Sequence, residues 1–403
     1  MQFKTFDIVP HGTKFDFVGK RRIAVVLSLV VNLAVILWSI PAIHGLNFGV
    51  DFAGGTEMEV KFAKPVDPGD IRKAVEALDF KDASVQTYGA PDEHTFLIRV
   101  GRIALLTEAD VQRVVDQVQT KFPGQVESWS FNPEIGDKID FQFKQSPPAD
   151  ALRAAVEGAG VKVRDVRDEA GLTAGTRSFA VITQGIQDKV ERELPSHFVG
   201  ASPEVRRVEY VGPAVGRELR NQGFKAILYA MALIVVYVGL RFDFRFSPGV
   251  IIAIVHDAIV TLGYFAFSGR EFNLTSIAVI LTVVGYSVND TVVVYDRIRE
   301  NQGKLKGRSL GDIVNISINE VFGRTLLTSV ATALSLVGLL VYGVGTIFDF
   351  SFAMLVGIVS GTYSTWFIAA PMTIWLEERA ERKKNARHGA AMAQPAARAT
   401  GGK

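Results

Sequence analysis

The sequence contains no cysteine and carries almost no net charge, and both absences restrict what the chain can be. Without cysteine there is no disulfide framework, no Cys-ligated zinc site and no thiol nucleophile. The 44 Lys and Arg residues are balanced by 42 Asp and Glu residues, whereas a nucleic-acid-binding protein would show a clear basic excess. We therefore expect neither cysteine chemistry nor a nucleic-acid partner.

Motifs of several enzyme classes are also missing. No G-x-x-x-x-G-K segment occurs, so the chain has no Walker A loop for ATP. It has no HExxH zinc helix, and Asp290 lacks a clear second aspartate in a matching apolar run, as an intramembrane aspartic protease would need. We predict that the chain is not an enzyme and uses no cofactor or metal ion.

What the sequence does contain is a set of long apolar runs, each close to the roughly 20 residues that a helix needs to cross the hydrocarbon core. The first run, residues 23–43, is too long for the core of a signal peptide, and no small-residue cleavage site follows it. We interpret it as an uncleaved anchor. Five more runs lie within residues 221–376, at about 224–240, 249–267, 274–295, 325–342 and 350–376. The sequence therefore predicts a polytopic α-helical membrane protein with six transmembrane helices.

The Lys and Arg residues that flank these runs predict the orientation, because positively charged loops stay in the cytoplasm. With the N-terminus inside, the short outside loops contain only Arg270. The inside segments then contain Lys20, Arg21, Arg22, Arg241, Arg245, Arg297, Arg299, Lys304, Lys306, Arg308, Arg379, Arg382, Lys383, Lys384 and Arg387. We predict that residues 1–22 and 377–403 are cytoplasmic, that 296–323 form a long loop, and that the tail is disordered.

Residues 44–220 lie on the other side of the membrane in this topology and show one pattern twice. The first copy, residues 44–135, and the second copy, residues 136–220, each predict the order β-α-β-β-α-β of ferredoxin-like domains. The predicted strands are 57–62, 83–88, 95–100, 125–131, 138–143, 161–167, 178–183 and 204–211. The predicted helices are 67–79, 107–121, 148–159 and 185–194. We predict an extracytoplasmic α+β domain of two tandem ferredoxin-like units, with one larger α+β domain as the alternative.

Five regions carry residues that topology alone does not explain. They are Asn47–Thr56 (NFGVDFAGGT), Val211-Gly212-Pro213, Val255-His256-Asp257, Gly285–Asn301 (GYSVNDT followed by YDRIREN) and Asn319–Ser329 (NEVFGRTLLTS). In this order they resemble the SecF family of protein-export membrane proteins, part of the resistance-nodulation-division transporter group. Two departures stand out. Val50 and Ala53 replace the more usual Ile and Thr, and the soluble domain looks longer than the single ferredoxin-like unit of the family.

The resemblance implies a subunit of the accessory complex of the Sec translocase in the bacterial cytoplasmic (inner) membrane. It implies a SecD-like six-span partner, and contact with the SecYEG channel, with unfolded preproteins and with membrane lipid. The large domain would be periplasmic, and the proton-motive force would promote the late stage of preprotein export. The alternatives are a proton-driven exporter of lipid or small molecules from the same group, which usually has twice as many spans, and a non-transporting translocase scaffold.

Ionisable residues inside the apolar runs are the candidates for a proton relay. A carboxylate at the bilayer centre costs on the order of 2.5–3.5 kcal/mol, and such residues are functional by default. We predict that Asp290 pairs with Arg324 of the next span and that His256 and Asp257 lie at similar depth. A static ion pair that holds the helices together is the alternative, and His256 and Asp257 could instead contact a partner or a water pocket. Coupling to Na⁺ instead of H⁺ would need further oxygen ligands, for which the candidates are Ser287, Asn289 and Thr291.

Two glycine patterns predict close backbone approach. Gly49, Gly54 and Gly55 surround Asp51 and permit a tight turn. We expect this motif to form a hinge between the first span and the soluble domain, with a substrate contact as the alternative. In the last span, Gly357–Gly361 presents small residues four apart, which predicts packing against another helix.

Overall fold

The structure, a computed structural model, describes residues 13–80, 83–88, 92–101, 104–132, 137–170, 177–242, 247–379 and 382. The chain divides into two compact units. The membrane unit comprises residues 1–47 and 223–403, and the soluble unit comprises residues 48–222. The tail for which the sequence predicts disorder, beyond about residue 384, lies outside the described residues.

Within the described residues, six helices are long and apolar enough to cross a membrane, which confirms the predicted number of spans. They are α1 (Arg21–Trp38), α7 (Pro213–Arg241), α8 (Ser247–Ser268), α9 (Leu274–Lys304), α10 (Leu310–Tyr342) and α11 (Thr346–Ser364). After Ser364 the sixth span passes through a π-helix, Thr365–Ala369, and continues to Arg379. The chain is therefore a multi-pass membrane protein.

The helices extend beyond the apolar runs where α9 ends and α10 begins. The predicted long loop over 296–323 is wrong, because α9 continues to Lys304 and α10 already begins at Leu310. Polar residues occupy these helical turns because they pair across the two helices. Arg297 Nε donates to Glu320 Oε2 at 2.6 Å, for example. These motif residues join α9 to α10.

Three of the helices form the centre of the membrane unit. The apolar stretches of α8, α9 and α11 are 50–67% buried, whereas those of α1, α7 and α10 are each 17% buried. Small residues allow α11 to approach α9 closely. A Cβ atom on Gly357 would lie 2.2 Å from Val283 Cγ2, and one on Gly361 would lie 3.0 Å from Ser287 Cβ. The predicted helix packing of the Gly357–Gly361 segment is confirmed.

The soluble unit contains the strands and helices predicted from the sequence, in the predicted order, together with one short helix in the glycine motif, α2, that the sequence pattern did not predict. They are α2 (Val50–Ala53), β1 (Gly55–Lys61), α3 (Pro68–Ala77), β2 (Ser84–Tyr88), β3 (Thr95–Val100), α4 (Glu108–Lys121), β4 (Val126–Phe131), β5 (Lys138–Phe143), α5 (Ala149–Gly158), β6 (Val163–Ala170), β7 (Arg177–Thr183), α6 (Ile186–His197) and β8 (Glu204–Val211). Side-chain caps begin two of the helices. Asp67 accepts a hydrogen bond from Gly69 N before α3, and Thr107 forms a capping box with Asp110 in α4.

The strands assemble into two antiparallel sheets, with orders β2-β3-β1-β8 and β4-β5-β7-β6. The predicted division into consecutive units, 44–135 and 136–220, is therefore wrong, because β4 and β8 each belong to the sheet of the other half. Met58 of β1 faces Val208 of β8, and Trp129 of β4 faces Phe141 of β5. The short connection between β4 and β5 explains the exchange, since strands that are consecutive in sequence usually pair.

The helices follow the same exchange as the strands. Ile186, Val190 and Leu194 of α6 lie in the core under the first sheet, next to residues of α3. The apolar face of α4, residues 111–118, lies with α5 in the core under the second sheet. Each half of the soluble unit thus contributes one helix and one strand to the sheet and core that belong mainly to the other half.

Candidate functional site

Asp257 of α8 lies in a cage of hydroxyl groups. Its side chain is fully buried. Ser360 Oγ donates to Asp257 Oδ1 at 2.6 Å, while Ser287 Oγ and Ser364 Oγ donate to Oδ2 at 2.6 and 2.7 Å. His256 Nδ1 lies 2.9 Å from Oδ1. Both carboxylate oxygens therefore have donors, as a buried carboxylate requires.

Asp290 lies one turn from Ser287 on α9, and its surroundings differ from those of Asp257. The residue is 3% exposed, and its Oδ2 has no hydrogen-bond partner among the described residues. The Ser329 hydroxyl of α10 lies beside the carboxyl group, and Ser329 Oγ is 2.7 Å from Thr362 Oγ1 of α11. A buried, unpartnered carboxylate oxygen is costly unless it binds a proton or meets a cation. Asp290 can therefore gain a proton on Oδ2 without breaking a hydrogen bond.

Arg324 makes no direct ion pair with Asp290 in this structure, although it lies near enough for its charge to act on the Asp290 carboxyl group. Its side chain is exposed, and it makes no hydrogen bond or ion pair with a described residue. The helical period explains the difference. Thr325 and Ser329 lie four residues apart on the face of α10 that is turned inward, and both are buried. Arg324, one residue before Thr325, is rotated away from that face.

These residues belong to one buried polar layer between α8, α9, α10 and α11, which we call the carboxylate–hydroxyl cluster. Its members are His256, Asp257, Ser287, Asp290, Thr291, Ser329, Ser360, Thr362, Ser364 and Thr365. Thr291 Oγ1 and Thr365 Oγ1, 2.9 Å apart, connect α9 to the π-helix. Asn289, one of the predicted oxygen ligands, is exposed and lies outside the cluster.

Sequence reasoning found the ionisable members of the cluster and missed the hydroxyl groups of α10 and α11. A signal for them was present. Ser360 and Ser364 are four residues apart, the spacing that places two side chains on one face of a helix. Ser329 and Thr362 had no comparable signal, because isolated hydroxyl residues are unremarkable in an apolar helix.

An aromatic group lies next to the carboxylate–hydroxyl cluster. Trp366 of the π-helix packs against Phe322 of α10, with ring centroids 4.7 Å apart, and against Phe17, at 5.8 Å. Phe17 N donates to Asn315 Oδ1 at 2.9 Å, and Asn319 holds the same N-terminal segment. The segment that precedes α1 is thus attached to α10. The adjacent π-helix is a feature that occurs often at functional sites.

The glycine motif lies in the soluble unit and forms a compact joint. Gly54 ends α2 with φ +77°, and Gly55 begins β1 with φ +119°, both in the left-handed region that favours glycine. A Cβ atom on Gly54 would lie 2.8 Å from Pro213 Cα, and one on Gly55 would lie 2.5 Å from a carbonyl oxygen of β3. Gly49 precedes α2, and Asp51 lies in its first turn. Glycine is required here by the close approach of three backbone segments, and the hinge role stays a prediction.

The sequence matches two family models. The model described as "Protein export membrane protein SecD/SecF, C-terminal" matches residues 191–379, and the "SecD/SecF GG Motif" model matches residues 40–66. The protein translocase subunit SecF of Magnetococcus marinus is 36% identical over 372 residues, which cover 92% of this chain and 95% of the relative. The subunit SecF of Pseudomonas aeruginosa is 33% identical, covering 91% of this chain and 92% of its own length. These relatives are transport proteins, not enzymes.

Two solved structures share the architecture. The crystal structure of SecDF from Thermus, described as a translocon-associated membrane protein, superposes with a TM-score of 0.63 at 27% identity. A crystal structure of SecDF in a super-membrane-facing form gives a TM-score of 0.55, also at 27% identity. The match covers 91% of this chain but only 39% of the first SecDF chain, so this chain spans about two fifths of that longer protein. With the family models and the near full-length relatives, the resemblance noted in the sequence is confirmed: the chain belongs to the SecF family of protein translocase subunits.

Proposed function

We propose that this chain is a subunit of a Sec translocase accessory complex that uses the proton-motive force to promote the late stage of preprotein export. Family membership supports the translocase role. The likeness to SecDF supports a SecD-like six-span partner, because this chain matches only 39% of the SecDF chain. In transporters that are built from repeated halves, the ion site lies at the interface between the halves, so one half needs the other. The SecYEG channel and an unfolded preprotein complete the proposed set of partners.

The proposed location is the bacterial cytoplasmic (inner) membrane. Both termini lie in the cytoplasm, and the soluble unit lies in the periplasm. The asymmetric distribution of Lys and Arg supports this orientation. We propose no cofactor or metal ion for the chain; the proton gradient is the energy source.

The observation that carries the proposal is that the two buried carboxylates differ in how completely their oxygens are hydrogen-bonded. Asp257 has a donor on each oxygen, from Ser360, Ser287 and Ser364. It acts as a fixed part of the helix packing. Asp290 has an unpartnered oxygen in the same polar layer, and it acts as the group that takes up and releases the proton.

The proton changes which helices attract one another. When Asp290 is ionised, Arg324 rotates inward and pairs with it; Arg324 lies five residues before Ser329, about 7.5 Å along α10. When Asp290 is protonated, the attraction is lost and Arg324 returns to the exposed position seen here. The Ser329–Thr362 contact transmits the movement of α10 to α11. One charge moving through 100 mV is worth about 2.3 kcal/mol, enough to bias such a two-state equilibrium.

The test is preprotein export in inverted vesicles that contain the assembled complex, with and without a proton gradient. We expect the gradient to stimulate late export in the wild type and to have no effect in Asp290→Asn. Asp312→Asn, the same chemical change at an exposed position of α10, is the control and should respond like the wild type. Co-purification with the partner confirms that each variant is assembled.

If assembled Asp290→Asn responds to the gradient like the wild type, the proton role of Asp290 is refuted. The chain is then a structural partner of the translocase, and its polar layer only packs the helices. If the wild type and both variants export without any response to the gradient, the proposal that this chain couples export to the proton-motive force is itself wrong.

A further inference from the structure

A groove of about 760 Å³ lies between the beginning of α1 and the end of the sixth span, away from the carboxylate–hydroxyl cluster. Arg21, Arg22 and Val26 line it from α1, and Met372, Trp375 and Arg379 are among the residues that line it from the sixth span. Its volume falls within the roughly 300–1,000 Å³ that is typical of small-molecule sites. The groove plays no part in the proton cycle proposed above.

The groove collects positive charge that the described residues neutralise only in part. Four guanidinium groups line it, from Arg21, Arg22, Arg379 and Arg382, together with one carboxylate, Glu378. Arg21 Nη2 lies 3.6 Å from Glu378 Oε1. The other three arginines form no ion pair with any residue that the structure describes. Like charges converge at one place at a cost, which an anion bound between them would relieve.

One of these arginines is already oriented. The guanidinium of Arg379 lies over the ring of Trp375, 5.0 Å from the centroid. Stacking on an aromatic ring holds the planar fork of an arginine and leaves its N–H groups free for a phosphate, which it binds in bidentate fashion. Trp375 is half exposed, as expected for an aromatic side chain at a membrane interface.

The other wall of the groove is apolar. Val25 and Val26 of α1 face it, and so do Pro371 and Met372 of the sixth span. On the membrane side of the same region, α1 exposes large apolar residues, among them Ile23 and Leu27. A free phosphate or a soluble anion would gain nothing from these side chains, whereas the acyl chains of a lipid would cover them.

From this combination we infer that the groove binds one anionic phospholipid, with its phosphate between the arginines and its acyl chains against the apolar wall. Basic pockets between transmembrane helices on the cytoplasmic side are a recognised mode of binding for such lipids. A bound lipid would bridge the first and last spans, which are joined more deeply by the hydrogen bond from Tyr363 Oη to Ala24 O at 2.8 Å. It would also form part of the outer surface of the membrane unit.

Native mass spectrometry of the full-length complex, released from membranes containing phosphatidylglycerol, tests the charge part of the inference. We expect one phosphatidylglycerol to remain bound to the wild type. The groove variant Arg22→Gln/Arg379→Gln/Arg382→Gln should weaken this binding about 100-fold, because each Lys or Arg changes attraction to anionic lipid about fivefold. The control Arg299→Gln/Lys306→Gln/Arg308→Gln removes three exposed charges from the region between α9 and α10 and should retain the lipid.

Equal loss in the groove and control variants would overturn the inference, because charge at the membrane surface alone would then explain binding. Equal retention of phosphatidylcholine would overturn it as well, and so would displacement of the lipid by inorganic phosphate. None of these outcomes depends on the proton role of Asp290.

The absence of cysteine allows a second test. A fluorophore attached at Met372→Cys reports from the groove, and one attached at Leu233→Cys reports from an exposed position on α7. Phosphatidylglycerol with brominated acyl chains should quench the groove label saturably at a low mole fraction, and the α7 label only in proportion to that fraction. Identical quenching curves at the two positions would contradict a specific lipid site.

Discussion

Asp257 and Asp290 are alike in chemistry and burial, and they differ only in the residues that surround them. The hydroxyl donors around Asp257 come from α9 and α11, so this carboxylate fixes the relative position of three helices. Asp290 contributes less to packing, because its Oδ2 contacts no donor. At the residue scale the two carboxylates therefore differ in their hydrogen bonds, and this difference supports the different roles that we propose for them.

This difference predicts opposite effects of two equivalent substitutions on stability. Asp257→Asn turns one acceptor oxygen into an amide donor that faces a hydroxyl donor, which should lower the apparent free energy of unfolding by about 1–3 kcal/mol. Asp290→Asn should change it little. Thermal unfolding of the full chain in lipid nanodiscs measures both. An unchanged melting temperature for Asp257→Asn, or a larger loss for Asp290→Asn, would contradict the assignment.

In the soluble unit, Asp137 is a buried carboxylate whose proton affects stability. Its Oδ1 accepts hydrogen bonds from Leu105 N and Leu106 N at 2.6 and 2.8 Å. Burial raises the pKa of the Asp137 carboxyl to about 6, although the two amide hydrogen bonds oppose the shift. In the unfolded chain an aspartate titrates near ~3.9. The folded state therefore binds more protons than the unfolded state between these two values.

The sign of the linkage follows from this difference. Stability from Asp137 is greatest below about pH 4 and is lost as the pH rises to about 6, by up to about 3 kcal/mol. Asp137→Asn keeps the acceptor oxygen and removes the titration, so it should flatten this decline and stabilise the unit at pH 7. Hydrogen exchange of β5 amides in the full chain, corrected for intrinsic rates, compares the variants. Parallel profiles for wild type and variant would refute the prediction.

At the scale of elements, the membrane unit depends on small residues at the contact between α9 and α11. Gly357→Ala would place a methyl group 2.2 Å from Val283 Cγ2, so we expect destabilisation by about 1–3 kcal/mol. Val283→Ala should restore much of the loss in the double variant, because it removes the atoms in conflict. Thermal unfolding in nanodiscs measures the single and double variants.

Gly338→Ala is the matched control for this pair. It lies in α10, and a Cβ atom there would meet no atom within 4 Å. Because alanine has the higher helix propensity, this change should be neutral or slightly stabilising. Equal destabilisation at Gly338 and Gly357, or the absence of rescue by Val283→Ala, would show that the close contact is not the cause.

At the scale of the whole molecule, the exchange of α4–β4 and α6–β8 makes the soluble unit indivisible. A fragment of residues 48–135 lacks the α6 side chains that complete its core, Ile186, Val190 and Leu194. We expect this fragment not to unfold cooperatively as a monomer, whereas residues 48–222 should. Denaturant unfolding followed by circular dichroism, with the oligomeric state checked by sedimentation, compares the two. A monomeric, cooperatively folded 48–135 would show that the halves are independent.

The sequence by itself determined the features that depend on local physics. Apolar runs long enough to cross the bilayer identified six spans, because the membrane core imposes a length on each helix separately. Periods of 2 and 3.6 residues identified the strands and helices of the soluble unit, because each element must turn an apolar face inward. The motif residues identified the family, and Asp290 stood out because a carboxylate is rare in an apolar helix.

The tertiary structure alone decided which of these elements meet. Apolar periodicity on α4 and α6 cannot say which sheet each helix covers. For this reason the prediction of two consecutive ferredoxin-like units within the soluble unit is wrong. Likewise, a position near Asp290 in the neighbouring span does not bring Arg324 into direct contact with it, because the rotation of α10 turns Thr325 and Ser329 inward instead. The hydroxyl donors of Asp257 come from residues up to 107 positions away. Contacts between distant segments depend on the packing of the whole chain, and no local pattern contains them.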